Sequence, residues 1–492
     1  MKQLLTVCCA LLCGVNLCFA QSSEQESATN AELLKEMKAL EAKVASLERR
    51  LKRYENGEPQ PKNSTASTGA KQLPEKASTV SDQTAAPQHA EGITSSSSQP
   101  LFGLGYRSQS ILSIGAYGEL KFGGQDMPGG WRDGFDAGRI VLLPTLQVND
   151  SIIFNAEIEF EHGGIADDND DKLTGEADIE QAYIDFKFNE HFNWRAPGVD
   201  VVPFGFINLF HEPTQFYSVE RPELANGLIP TTWFEGSTSI YGKIIDNLNY
   251  QFQINTGLED IGQNGGVPKG PYDPGISGED ALGFARTPIG DFNQTKNAPG
   301  FAWRLSYTPP FLPGLSGSSS VFFTPNVVPR GAHADDGTPL GHSSLTMIDT
   351  EARYRIPNTG FEFRGELVDV FLGDPRNLRA NNDGDPENNV GDKMWGGSLE
   401  AAYHISLSAS IHNGWEIVPF YRYTYEDLQT GGFEGRDMNL PTGQGTRQFH
   451  TIGIAAFPTP QIVLKLDYQF AFDDAPNSPH ADHLLGAIGF FF

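Results

Sequence analysis

Cysteine is confined to the start of this 492-residue chain, where Cys8, Cys9, Cys13 and Cys18 account for all four. No disulfide can staple the remainder, which must be held by hydrogen bonding and packing alone. Long apolar runs are also missing. Beyond the N-terminus nothing approaches the roughly eighteen apolar residues of a spanning helix, so any membrane crossing has to be made by strands. Basic residues are scarce, 35 Lys and Arg against 62 Asp and Glu, and a net charge of −27 excludes nucleic acid as a partner. Neither a nucleophile elbow nor a zinc signature occurs, so the chain does not read as an enzyme, and no cofactor or metal is expected.

What is present begins with an export signal. Lys2, an apolar run from Leu4 to Val15 and Cys18-Phe19-Ala20 ahead of Gln21 give the pattern of a cleaved signal peptide over 1–20. In segment 21–55, Leu33, Met37, Leu40, Val44, Leu47, Leu51 and Tyr54 alternate spacings of four and three, an a/d seam with its core at 29–55. Thr29 and Glu32 form a capping box at its start, and Gly57 and Pro59 stop it. A helix this short is marginal alone, so a coiled coil that trimerises the chain is the reading. Residues 56–110 are rich in Ser, Thr, Pro, Gln and Gly and read as a flexible linker.

From 111 to 492 the texture changes to segments of about ten residues with alternating hydrophobicity, which is what a tilted strand needs to cross a bilayer. The segments are 111–123, 136–148, 151–161, 176–188, 199–208, 236–244, 248–257, 300–308, 319–325, 347–356, 361–371, 395–405, 415–426, 447–457, 461–472 and 483–492. Their connections alternate in length. Asn149-Asp150, Asp246-Asn247, Pro357 to Gly360 and Pro458 to Pro460 are tight, whereas 124–135, 162–175, 209–235, 258–299, 326–346, 372–394 and 427–446 are long and polar. One rim of short turns and one of long loops is the pattern of a transmembrane antiparallel β-barrel of about sixteen strands. The mean hydropathy of −0.35 is compatible with that, because only alternate residues face lipid.

The faces are sorted residue by residue. In 151–161, Ile152, Phe154, Ala156, Ile158 and Phe160 share the face assigned to outer-membrane lipid, opposite Asn155, Glu157, Glu159 and Glu161. In 461–472 the apolar set from Ile462 to Phe472 opposes Lys465, Asp467 and Gln469. The lumen-facing candidates are therefore Glu157, Glu159, Arg304, Glu351, Arg353, Glu362, Arg364, Glu366, Arg422, Lys465 and Asp467, many of them expected simply to pair across strands. Loop 209–235, the third long loop, is the candidate to fold inward as a constriction, with His211, Glu212, Glu220, Arg221 and Glu223 setting field and width. Glu220 and Arg221 read as a structural pair locking that loop, ahead of a metal site at His211-Glu212. Asp167 to Asp171 and Asn381 to Asp385 are oxygen-rich but lack EF-hand spacing and read as solvated acidic loops.

Several tracts carry a family resemblance: Gly115 to Leu120 (GAYGEL), Ala156 to His162 (AEIEFEH), Glu176 to Phe188 (EADIEQAYIDFKF), Val202 to Asn208, His211-Glu212-Pro213, Val219 to Pro222 and Ile229 to Trp233. Over 115–260 the chain resembles the outer-membrane porins named for phosphate-selective porins O and P. That resemblance implies a sixteen-stranded homotrimeric barrel in the outer membrane of a Gram-negative bacterium, with a solute path down each monomer. Phosphate selectivity does not carry over, since the inner faces here are mixed in sign. The alternating end from Leu484 to Phe492 resembles the terminal strand read by the outer-membrane assembly machinery. The expectation is a porin that passes small hydrophilic solutes and ions, with cation preference or none. Its N-terminal helix and linker would lie in the periplasm, and a tether between membrane and cell wall is the alternative role.

Overall fold

The computed structural model describes residues 111–492 apart from 128–129, 164–174, 231, 260–275, 277–281, 283–297, 335, 382–389, 408–413, 431–445 and 474–481. The signal segment, the heptads, the linker, the Asp167–Asp171 tract and all but the first residue of the Asn381–Asp385 tract lie outside the described residues.

Alternating side chains with period two let each strand present one face to hydrocarbon and one inward, and the register keeps the two sets apart along the whole chain. The strands are β1 Ile111–Met127, β2 Gly130–Asn149, β3 Ile152–Glu161, β4 Ala177–Lys187, β5 Asn193–Val201, β6 Phe234–Ile245, β7 Leu248–Asn255, β8 Gly300–Tyr307 and β9 Leu315–Thr324. They continue as β10 Leu345–Arg355, β11 Phe361–Leu372, β12 Lys393–Tyr403, β13 Ile405–Ser406, β14 Glu416–Thr430, β15 Thr446–Thr459, β16 Ile462–Asp473 and β17 His483–Phe491. Each pairs antiparallel with its chain neighbours, except that β12 and β13 both pair with β14, and β1 pairs with β17 from Tyr117↔Phe491 to Gln125↔His483. The sheet is therefore a closed ring. The two-residue β13 continues β12 against β14 in the same register, past a break at His404, so the ring has sixteen staves. Closure leaves no unpaired edge, which is why the chain needs no disulfide.

The short turns use residues that tolerate the left-handed region. Asn247 (φ 64°) and Asn358 (φ 62°) sit in them, and the Asn149 side chain accepts from the Ser151 N–H at 2.9 Å. Outward faces are apolar and exposed: Ile140 and Leu142 on β2, Trp303 and Leu305 on β8, Leu466, Phe470 and Phe472 on β16, Leu484 and Ile488 on β17. An apolar belt of that extent is stable only against hydrocarbon. A charge placed in it is correspondingly costly. Leu466→Arg, at a position 54% exposed in the middle of an outward row, should destabilise the barrel by ~2–4 kcal/mol in urea titrations in lipid vesicles.

Two spans differ from the sequence expectation. The expected loop 124–135 is largely a hairpin, paired through Gln125↔Arg132 and Asp126↔Trp131. Beyond the hydrocarbon both faces of a ladder can be polar, so the alternation that marks a strand fades while the hydrogen bonds continue. The fifth strand runs over Asn193–Val201 rather than 199–208. It starts after a turn in which the Asn189 side chain accepts from the His191 and Phe192 N–H groups, and it ends at Val201, just ahead of Pro203, which has no N–H for the ladder.

Candidate functional site

The segment between β5 and β6 leaves the wall and enters the barrel. Gly205 makes the turn at φ +71°, and a Cβ there would stand 2.8 Å from Ile229 Cδ1. A short helix α1, Phe206–Leu209, follows. The two ends of the segment are clamped by Asn208, whose side chain donates to Val202 O at 2.9 Å and accepts from Trp233 N at 2.7 Å. Trp233 in turn packs edge-on against Phe204 and Phe322.

From this base the segment reaches inward-facing side chains around most of the ring. At α1 the Phe206 N–H donates to Glu351 on β10 at 2.8 Å. Arg364 on β11 donates to Gln215 O at 2.9 Å, and Tyr217 donates to Glu362 at 3.0 Å. Lys465 on β16 donates to Ser218 O at 2.8 Å, with its ammonium 3.6 Å from the centre of the Phe216 ring, and Asp467 accepts from the Val219 N–H. Glu223 is held by Arg422 at 2.9 and 3.1 Å, Thr424 at 2.6 Å and Gln469 at 2.6 Å. Burial pushes the Glu223 carboxyl up, and the Arg422 guanidinium with its hydroxyl neighbours outweighs this, leaving it below the usual range. The segment touches opposite walls, so it lies across the lumen.

His211 sits where the segment meets β1 to β4. Its Nδ1 donates to Asn208 O at 3.0 Å, and its Nε2 lies 2.8 Å from the Tyr117 hydroxyl, whose own proton goes to Glu157 at 2.6 Å. Both ring nitrogens therefore face acceptors, and an imidazolium completes the network. Burial lowers its pKa, but Glu157 and Glu180 outweigh that and raise it to about 9. The folded value exceeds the unfolded ~6.5, so this stabilisation is full below about pH 6.5 and is lost as pH rises through 9. The wild-type barrel should lose stability between those limits, and His211→Gln should flatten the profile in thermal melts.

Glu157, Glu159, Arg304, Glu351, Arg353, Glu362, Arg364, Glu366, Arg422, Lys465 and Asp467 all lie on the inward face. Most are held in ion pairs, some buried, such as Arg422 with Glu400 at 3.2 Å, and some partly exposed, such as Arg353 with Glu362 at 2.9 Å. Of the segment's candidates, His211, Glu212 and Glu223 are drawn into packed surroundings, while Glu220 remains 38% exposed beside Lys121 at 2.8 Å. The expected Glu220–Arg221 pair is not made. Other partners are nearer: Glu220 takes Lys121, and Arg221 donates to Thr232.

No family model matches this chain. It is similar to an uncharacterized protein of Aquifex aeolicus (strain VF5), at 26% identity over 385 residues, 75% of this chain and 79% of the other. Among solved structures it is similar to OmpF of Salmonella typhi in complex with daunomycin (11% identity, TM-score 0.48, 79% of this chain and 99% of that one). It is also similar to the outer membrane channel DcaP of Acinetobacter baumannii (10% identity, TM-score 0.46, 80% and 100%). A third is OprB of Pseudomonas putida (11% identity, TM-score 0.43, 78% and 94%). The fold assignment rests on the hydrogen-bonded register itself.

Two groups inside the barrel escape the sequence reading. Arg139 and Glu119 pair at 3.2 Å beneath His211, and Arg139 donates to His211 O. The parity of β1 and β2 places both inward, so alternation alone could have found them. The second group is apolar. Phe322, Leu345, Met347, Val368, Val370 and Met394 face inward and pack with Val202, Phe204, Leu224, Leu228, Ile229 and Trp233 into one buried cluster. Leu224 and Leu228 lie so close to β12 that a Cβ on Gly396 would stand 2.6 Å and 2.7 Å from them. The sign of this cluster is a strand apolar on both faces, as in Leu367-Val368-Asp369-Val370-Phe371-Leu372.

Proposed function

We propose that the chain is a porin of the bacterial outer membrane, a passive path for small hydrophilic solutes and ions whose cutoff is set by the inserted segment 202–233. The observation that carries this reading is the closed sixteen-stave ring, apolar outside and charged inside, with that segment lying across the lumen. The apolar cluster fills the long-loop half of the barrel on the β8 to β12 side, so the proposed water path follows the charged walls. Side chains with exposed surface there include Lys121, Glu220, Arg353, Arg355 and Glu416. These are mixed in sign, which supports weak selectivity rather than a phosphate filter. The tracts resembling porins O and P support the same class, and the heptads at 29–55 would join three copies below the membrane.

The test is conductance in a planar bilayer. Purified protein should give stepwise, ohmic openings without an energy source, and the reversal potential in a salt gradient should be small or cation-selective. Insertion without openings would overturn the channel reading, and strong anion selectivity would overturn the weak-selectivity one.

A further inference from the structure

We propose that Asp349, Glu351 and Glu366 form a binding site for one divalent cation of calcium's size on the inner wall beside α1. Glu351 and Glu366 are direct cross-strand partners on β10 and β11, and Asp349 is one inward position further along β10. Oxygens of the three lie within 4.8 Å of one another. Ca²⁺ binds oxygens at about 2.3–2.6 Å in flexible geometry, so a small inward closure of the three lets one ion bridge them, whereas Mg²⁺, at about 2.0–2.1 Å and near-ideal octahedral, fits less well.

The three are not equivalent. Glu351 is partly engaged, accepting from Arg304 and Ser318 on Oε1 and from the Phe206 N–H on Oε2, which leaves a lone pair of Oε2 for an ion. Asp349 is 0% exposed, next to Met347 and the apolar cluster, and neither of its carboxylate oxygens has a hydrogen-bond partner. Glu366 Oε1 has none either. Even a bond from the hydroxyl of Ser320, which stands opposite Asp349, would leave one Asp349 oxygen and Glu366 Oε1 bare. A buried carboxylate without a partner is costly, and an ion is one of the few things that removes the cost. Charge points the same way. Three carboxylates bonded by Arg304 alone leave two negative charges, which a divalent ion balances. Glu351, 11% exposed, and Glu366 are not sealed off, so an ion has a way in. The trio Glu157, Glu180 and His211 also brings ligand atoms together, but there both imidazole nitrogens already face acceptors.

Through Glu351 a bound ion would also brace α1 and with it the inserted segment. Binding is measured without reference to conductance, so this proposal and the channel reading fail separately. The experiment is calorimetric titration of the full-length, chelator-treated protein in detergent with CaCl₂, compared with Asp349→Asn and Glu366→Gln. Folding of each variant is checked by its migration on gels without boiling. The wild type should bind Ca²⁺ at a site that each variant weakens by at least about tenfold, with Mg²⁺ weaker than Ca²⁺ by a similar factor. Ca²⁺ should raise the melting temperature of the wild type and leave that of the variants unmoved. Equal binding by wild type and variants would place the ion elsewhere in the chain and overturn the proposal. Absence of binding, with Asp349→Asn more stable than wild type, would show carboxyls sharing protons and would overturn it as well. Equal affinity for the two cations would overturn the assignment of size.

Discussion

Replacing Glu212–Ile229 by a Gly and Ser bridge should raise single-channel conductance several-fold and admit larger sugars in vesicle-swelling assays. The replaced residues carry the bonds to β11, β14 and β16 and supply Leu224, Leu228 and Ile229 to the apolar cluster, so their loss clears the lumen from two sides. The barrel itself should persist. Its wall is a ring of backbone hydrogen bonds that the segment does not join, and the Asn208 clamp at the base is retained. Conductance equal to wild type would mean that the segment does not set the cutoff.

Breaking the pair that fixes the segment to the far wall should have the largest effect on stability. Arg422 is 2% exposed and serves Glu223, Glu400 and Ser218 together. Arg422→Met removes the cation but leaves Glu223 and Glu400 buried, a loss expected to cost ~3–5 kcal/mol. Adding Glu223→Leu to Arg422→Met should recover a substantial part of that, since a buried pair replaced by apolar groups is often close to neutral. Urea unfolding of the two singles and the double in vesicles gives the coupling directly. A double as unstable as the sum of the singles would show that the pair does not act as a unit.

Both experiments probe features of unequal visibility in the sequence. The staves were legible because lipid outside and water inside force a period-two pattern, as in Ile152 to Glu161 and Ile462 to Asp473, where the observed strands lie within a residue of the expected ones. Strand β5 was misplaced because Val202 to Phe206 keeps an apolar texture after the ladder ends. The texture there serves packing against Trp233 and Ile229 rather than lipid. The inner charges could be placed by parity, but their partners could not. Glu223 and Arg422 are 199 residues apart, and which acid meets which base is decided by where the inserted segment lies. The inward apolar cluster was hidden for a related reason: parity separates two faces without saying whether the inner one meets water or another part of the chain.

The segment across the lumen also has a mechanical meaning. A hollow tube of ribbons ovalises under lateral squeeze, because its wall can bend without breaking a bond. This one carries a crosspiece, fastened at Phe206 to one flank, at His211 to a second and at Glu223 to a third, and flattening it would have to tear those joints. The bore should therefore keep its shape as the surrounding bilayer changes in tension or thickness.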